Sequence, residues 1–88
     1  MSKLKTLHSV KTQNLCKWLI SQRKAKGLSI RGLAELLGWP PSILGKIETG
    51  DRRLDVIEYL DICEALKISP NKGLKFIISD TTIRHKKL

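Results

Sequence analysis

The sequence predicts an all-α fold, a compact bundle of five helices around a single core. Three observations carry that expectation. Apolar residues recur at helical spacing in five separate stretches, Gly, Pro or a short polar capping residue stands between them, and only "KFIISDTTI" has the β-branched and aromatic richness that a strand favours.

Eighty-eight residues with 41% hydrophobic content suffice to close one core without metal or disulfide staples. The net charge of +9 favours a polyanionic partner, nucleic acid or an anionic membrane surface, and charge alone does not choose between them. That charge is uneven: residues 1 to 34 hold eight Lys or Arg and no acid, residues 35 to 66 hold seven acids against three bases, and residues 67 to 88 hold six bases and only Asp80. Cys16 and Cys63 lack metal-ligand or CxxC spacing and are expected as small buried apolar groups, so no metal and no cofactor is expected. No apolar run approaches the ~18 residues of a membrane span, and "MSKLKTLHSV" lacks the long apolar segment of a signal peptide, so a cytoplasmic protein is expected.

The first helix is expected over "QNLCKWLISQRKAK", residues 13 to 26, with Leu15, Trp18, Leu19 and Ile20 near one side and Gly27 closing it. Thr12 is the expected N-cap, with Ser9 its competitor. Residues 1 to 11 form a flexible basic arm in this reading, 12 to 79 the folded domain and 80 to 88 a basic tail. Ser29 caps a short second helix, Ile30 to Leu37, whose Leu33, Ala34 and Leu37 face inward until Gly38 stops it.

"LLGWPPSILGKIETG" then interrupts and resumes a helical pattern. Gly38 tolerates the left-handed conformation that ends a helix, Pro40 keeps Trp39 extended, and Pro41 at a first helical position loses no hydrogen bond. The stretch is therefore a joint, with a third helix running from about 41 to 49 until Gly50. At about 100° per residue, Leu44, Ile47 and Glu48 fall on its core side, and Ser42, Gly45, Lys46 and Thr49 on the other. The outer side is small and polar with one cation, fit to lie in a groove.

"DVIEYLDICEAL" opens the fourth helix with a capping box, Asp55 and Glu58, and carries Val56, Tyr59, Leu60, Cys63 and Leu66 as its expected buried stripe. Ser69-Pro70 starts a fifth helix offering Leu74, Ile77 and Ile78 for burial, with a short strand from Lys75 as the competing expectation.

Two helices joined by a Gly-containing turn are common to many bundles. The flanking words "RKAKGLS", "LAELLG", "SILGKIETGDRR" and "LDICEAL" are more specific: over residues 14 to 70 they resemble the lambda-repressor-like (Xre/Cro) helix-turn-helix DNA-binding family. The resemblance implies that Ala34 is the small residue where the second and third helices cross, and that Arg23 and Glu48 form a structural ion pair. Glu48 also falls on the core side, where a carboxylate needs a partner. A buried pair is worth roughly 3 kcal/mol against truncation of Arg23.

The resemblance further implies a double-stranded DNA partner, with the third helix in the major groove. Pro41, Ser42, Ile43 and Lys46 are then the expected base-contact residues: the Lys46 ammonium suits guanine O6 and N7, Ser42 donates or accepts, and Ile43 packs on a thymine methyl. Ser29, Arg31, Thr49, Arg52 and Arg53 are the expected phosphate contacts. The chain departs from the family pattern at Ile30, Pro41 and Ser42, where long polar side chains are usual, so no relative's operator carries over and DNA shape gains weight.

The family usually acts as a symmetric dimer, so a homodimeric transcriptional repressor is expected; Ile57, Phe76 and Ile78 either complete the monomer core or form a self-complementary patch. An antitoxin-type protein, binding a toxin through the segment after Ser69 and autoregulating its operon, is the alternative partner reading. An RNA-associated factor lacks the aromatic stacking platform such binding uses. An enzyme is not expected, because neither His8 nor His85 lies in an ordered motif and the carboxylates of the fourth helix are spaced for capping and solvation. Membrane-surface binding is not expected either, as no long helix sets a basic face opposite an exposed Trp or Leu face.

Overall fold

The computed structural model describes residues 9–85, and the side chains of residues 9–78. Five helices follow in order: α1 (Val10–Ala25), α2 (Ile30–Leu37), α3 (Pro41–Thr49), α4 (Val56–Leu66) and α5 (Pro70–His85). The all-α expectation holds, with no strand among the described residues. Residues 75 to 83, where a strand competed, are helical, because packing of α5 on α1 outweighs the β-branched preference of "FIISDTTI".

Both outer boundaries move. Ser9, not Thr12, caps α1: its hydroxyl oxygen accepts the Thr12 N–H at 3.1 Å, so Val10 and Lys11 belong to the helix. At the other end α5 continues through residues 80 to 85, expected from the sequence as part of a basic tail. The remainder of the arm, residues 1–8, and of the tail, residues 86–88, lie outside the described residues.

The joint has the expected geometry. Gly38 takes φ 73°, its N–H donates to the Glu35 carbonyl, and the Trp39 N–H reaches back to Ala34 at 2.9 Å, which ends α2 and turns the chain. Pro40 is extended, Pro41 starts α3, and Gly50 at φ 86° ends it. The capping box of α4 forms in both directions, Glu58 N–H to Asp55 Oδ1 at 2.7 Å and Asp55 N–H to Glu58 Oε1 at 3.1 Å. At the end of α4, Lys67 adopts φ 58°, a left-handed position where Gly is usual.

The core joins Leu19 of α1, Leu33 and Ala34 of α2, Leu44 of α3, and Tyr59, Ile62, Cys63 and Leu66 of α4. Trp18, Leu28, Leu37, Trp39, Leu54 and Ile68 pack around it. Both cysteines are buried free thiols.

Three expected stripes change. In α1, Cys16, Leu19 and Arg23 are buried, while Leu15, Trp18 and Ile20 are half-buried. In α4, Ile62 replaces Val56 and Leu60, which are exposed; Tyr59, Ile62, Cys63 and Leu66 complete a stripe at three- and four-residue spacing from which Leu60 is turned away. In α5, Leu74 and Ile78 are exposed and Ile77 half-buried. The contact is made by Gly73 instead: a Cβ there would sit 2.5 Å from Tyr59 Oη and 2.6 Å from Trp18 Cζ3. The Tyr59 hydroxyl donates to the Pro70 carbonyl at the same place, drawing the first turn of α5 onto α1 and α4.

Candidate nucleic-acid interface

Helix α3 separates its two roles by face. Leu44 and Ile47 are buried against the core, and Ser42, Lys46 and Thr49, spaced by four and three residues, are exposed on the opposite side. Pro41 is exposed at the leading end, and Ile43 and Gly45 are half-buried at the edges of the stripe. The structure thus brings Pro41, Ser42, Ile43 and Lys46 together at the first turns of a projecting helix.

The flanks carry cations and helix ends. Ser29 and Arg31 are exposed at the start of α2, where the Ser29 hydroxyl accepts the Gly32 N–H at 3.0 Å. The Ile30 and Arg31 N–H groups stand at the first turn, where no helical carbonyl can accept from them. After α3, Arg53 is exposed, whereas Arg52 is engaged: its Nη1 and Nη2 donate to Glu58 Oε1 and Oε2 at 3.0 and 2.9 Å. Hydrogen bonding from Arg52 holds the Glu58 carboxyl below the usual carboxylate range, and the same bond raises the Arg52 guanidinium. Thr49 is likewise occupied, its hydroxyl bonding the Lys46 carbonyl at 3.2 Å and Asp51 Oδ2 at 3.1 Å.

Arg23 and Glu48 meet in a two-pronged ion pair, Nε to Oε2 at 2.7 Å and Nη2 to Oε1 at 3.0 Å. Nη1 donates to the Leu28 carbonyl at 2.8 Å, so one guanidinium ties α1, the α1–α2 turn and the end of α3. Beside it the Cys16 thiol donates to the Ile47 carbonyl at 3.3 Å, and burial, with the Glu48 charge adding, pushes that thiol up. The orientation of α3 is therefore fixed from behind by side chains that do not reach its outer face.

Two features escaped the sequence reading. The Arg52–Glu58 pair spans the α3–α4 loop; the signal was a capping-box Glu with an Arg a short loop upstream. Lys17, exposed on α1, lines a cleft with Gln13, Thr49 and Gly50 at the end of α3, a proximity that no local pattern encodes.

A helix-turn-helix family profile matches residues 19–72, from the middle of α1 to the first turn of α5. An XRE-family like protein from Pseudomonas syringae pv. tomato str. DC3000 has a similar structure, with TM-score 0.80 and 36% identity over 92% of this chain and 99% of that chain. The clp gene regulator ClgR from C. glutamicum is similar at TM-score 0.73 and 26% identity, over 84% of this chain and 96% of its own. No curated protein sequence matches the chain. Profile, relative and geometry converge on the two-helix joint and its projecting second member, and the chain belongs to the Xre, lambda-repressor-like family of helix-turn-helix DNA-binding regulators.

Proposed function

We propose that the protein is a sequence-specific double-stranded DNA-binding transcriptional repressor that inserts α3 into the major groove and acts as a homodimer on an inverted repeat. The observation that carries this reading is the outer face of α3, an exposed stripe of Ser42, Lys46 and Thr49 on a helix held rigidly from its inner side. Lys46 reads guanine, Ser42 an adjacent polar edge, and Ile43 with Pro41 a thymine methyl. A phosphate is held at the start of α2 by Ser29 and Arg31, and others by Arg53 and Lys17. Arg52, sharing its charge with Glu58, is a weaker contact, and Thr49 reaches phosphate only by releasing Asp51.

The exposed Ile57, Phe76 and Ile78 support self-association, since the monomer core leaves them uncovered. The same apolar residues of α5 would serve an antitoxin-type protein against a toxin. Self-association is favoured because it needs no second gene product, and stable co-purification with a protein encoded alongside would reverse that order.

Selection of bound sequences from random duplex DNA tests the proposal. The expected product is an inverted repeat with half-site centres about 10 base pairs apart, or a multiple of that spacing. Lys46→Ala is expected to cost roughly 1 to 3 kcal/mol and to relax preference at one base pair. Uniform weak binding to all duplexes at physiological salt would overturn it.

A further inference from the structure

We propose that the groove between α2 and the outer side of α4 docks a basic helical segment of a partner protein, one carrying Lys or Arg beside aliphatic residues. Its floor is the half-buried Leu37 and Ala65, its wall is Leu36 at 61% exposure, and Asp61 and Glu64 stand exposed on its rim. A shallow groove between two helices, with aliphatic residues at its floor and carboxylates at its edge, can receive a third helix.

The charges make the site distinct from its surroundings. Of the acids in the middle of the chain, Glu48 is bound by Arg23, Glu58 by Arg52, Asp55 caps α4, and Asp51 accepts from Thr49. Asp61, Glu64 and, on α2, Glu35 have no such partner among the described residues. Glu35 lies in another cleft, with Arg31, Trp39 and Pro41, so the two on α4 are the unpaired carboxylates that stand beside the exposed Leu36. Phosphate is repelled from that rim, which excludes DNA as the occupant. A twofold contact with a second copy would set carboxylates against carboxylates, and a head-to-tail contact would build a ring or an open filament, larger than the dimer proposed for DNA binding. A cationic, aliphatic helix satisfies both the rim and the floor. This inference uses no residue of the DNA-facing surface and stands apart from the DNA reading.

The test is a selection of displayed random 16-residue peptides on the full chain, followed by titration of synthesised winners by fluorescence anisotropy. The expected winners carry Lys or Arg flanking Leu, Ile or Val at helical spacing, and bind more weakly as salt is raised. The double charge reversal Asp61→Lys with Glu64→Lys is expected to weaken them at least tenfold, and Leu36→Ser about tenfold, with the thermal unfolding midpoint retained. Both acids are exposed, and a cation at residue 64 suits the C-terminal end of α4. Selection of no such peptides, or equal binding to the reversed variant, would overturn the proposal. So would a change in the free protein's sedimentation mass on charge reversal, which would give the groove to a second copy.

Discussion

Replacing Arg23 by Ala leaves the Glu48 carboxylate stranded where the two side chains are only 8% and 9% exposed. Two hydrogen bonds to that carboxylate disappear, together with the one to the Leu28 carbonyl. Removing one member of a buried ion pair costs about 3 to 5 kcal/mol, mostly through the charge left behind. Glu48 also borders the cleft lined by Thr12, Gln13 and Lys17, through which water reaches it, so the lower end, roughly 3 kcal/mol, is expected. In a domain of this size that lowers the thermal midpoint by about 12 to 24 °C. Urea unfolding followed by the fluorescence of Trp18 and Trp39 measures it, with the midpoint falling and the m-value unchanged. Arg23→Met combined with Glu48→Leu is expected to recover much of the loss, because a paired apolar replacement leaves no orphan charge. A loss within ~0.5 kcal/mol for Arg23→Ala would refute the assignment of this pair as the pin of α3.

Gly73→Ala forces a methyl group against Tyr59 and Trp18 and is expected to destabilise by about 1 to 3 kcal/mol, read by calorimetry. Lys67→Gly relieves the left-handed backbone at φ 58° and is expected to stabilise by roughly 0.5 to 1 kcal/mol in the same measurement, after the added entropy of the unfolded chain is deducted. The Glu58 carboxyl has a folded pKa below its unfolded value, so its contribution is complete above the unfolded pKa and is lost as pH falls through the folded one. Urea midpoints measured on acidification below about pH 4.5 should fall, and Arg52→Ala should flatten that part of the curve. In DNA titrations Arg53→Ala should weaken all duplexes nearly equally and reduce the salt slope by about one, whereas Arg52→Ala should act less on binding than on the α3–α4 loop.

The joint was legible because its determinants are local: Gly38 and Gly50 end helices by backbone freedom, Pro41 begins one, and Asp55 with Glu58 forms a reciprocal cap. The outer face of α3 was legible for the same reason, since helical period alone separates Ser42 and Lys46 from Leu44 and Ile47. Burial in α4 and α5 was not. Which apolar residue faces inward depends on where a neighbour crosses, and α5 crosses at Gly73, a residue with no side chain to register in an apolar pattern. Val56, Leu60, Leu74 and Ile78 belong inward by their chemistry and lie outward by that docking. At the candidate interface, the Arg52–Glu58 pair is hidden in the sequence because the capping box accounts for Glu58 alone; a carboxylate has two oxygens, and here the capping oxygen also accepts from Arg52.

The guanidinium of Arg23 grips three segments from the rear and leaves the front of α3 untouched. The residues that hold α3 and the residues on its outer face are thereby different ones. On the proposed reading, substitution at Ser42 and Lys46 changes the operator without loosening the scaffold, so new operators come within reach one residue at a time, each intermediate still folded. A transplant of those positions between relatives sharing this clasp should carry the binding preference with it.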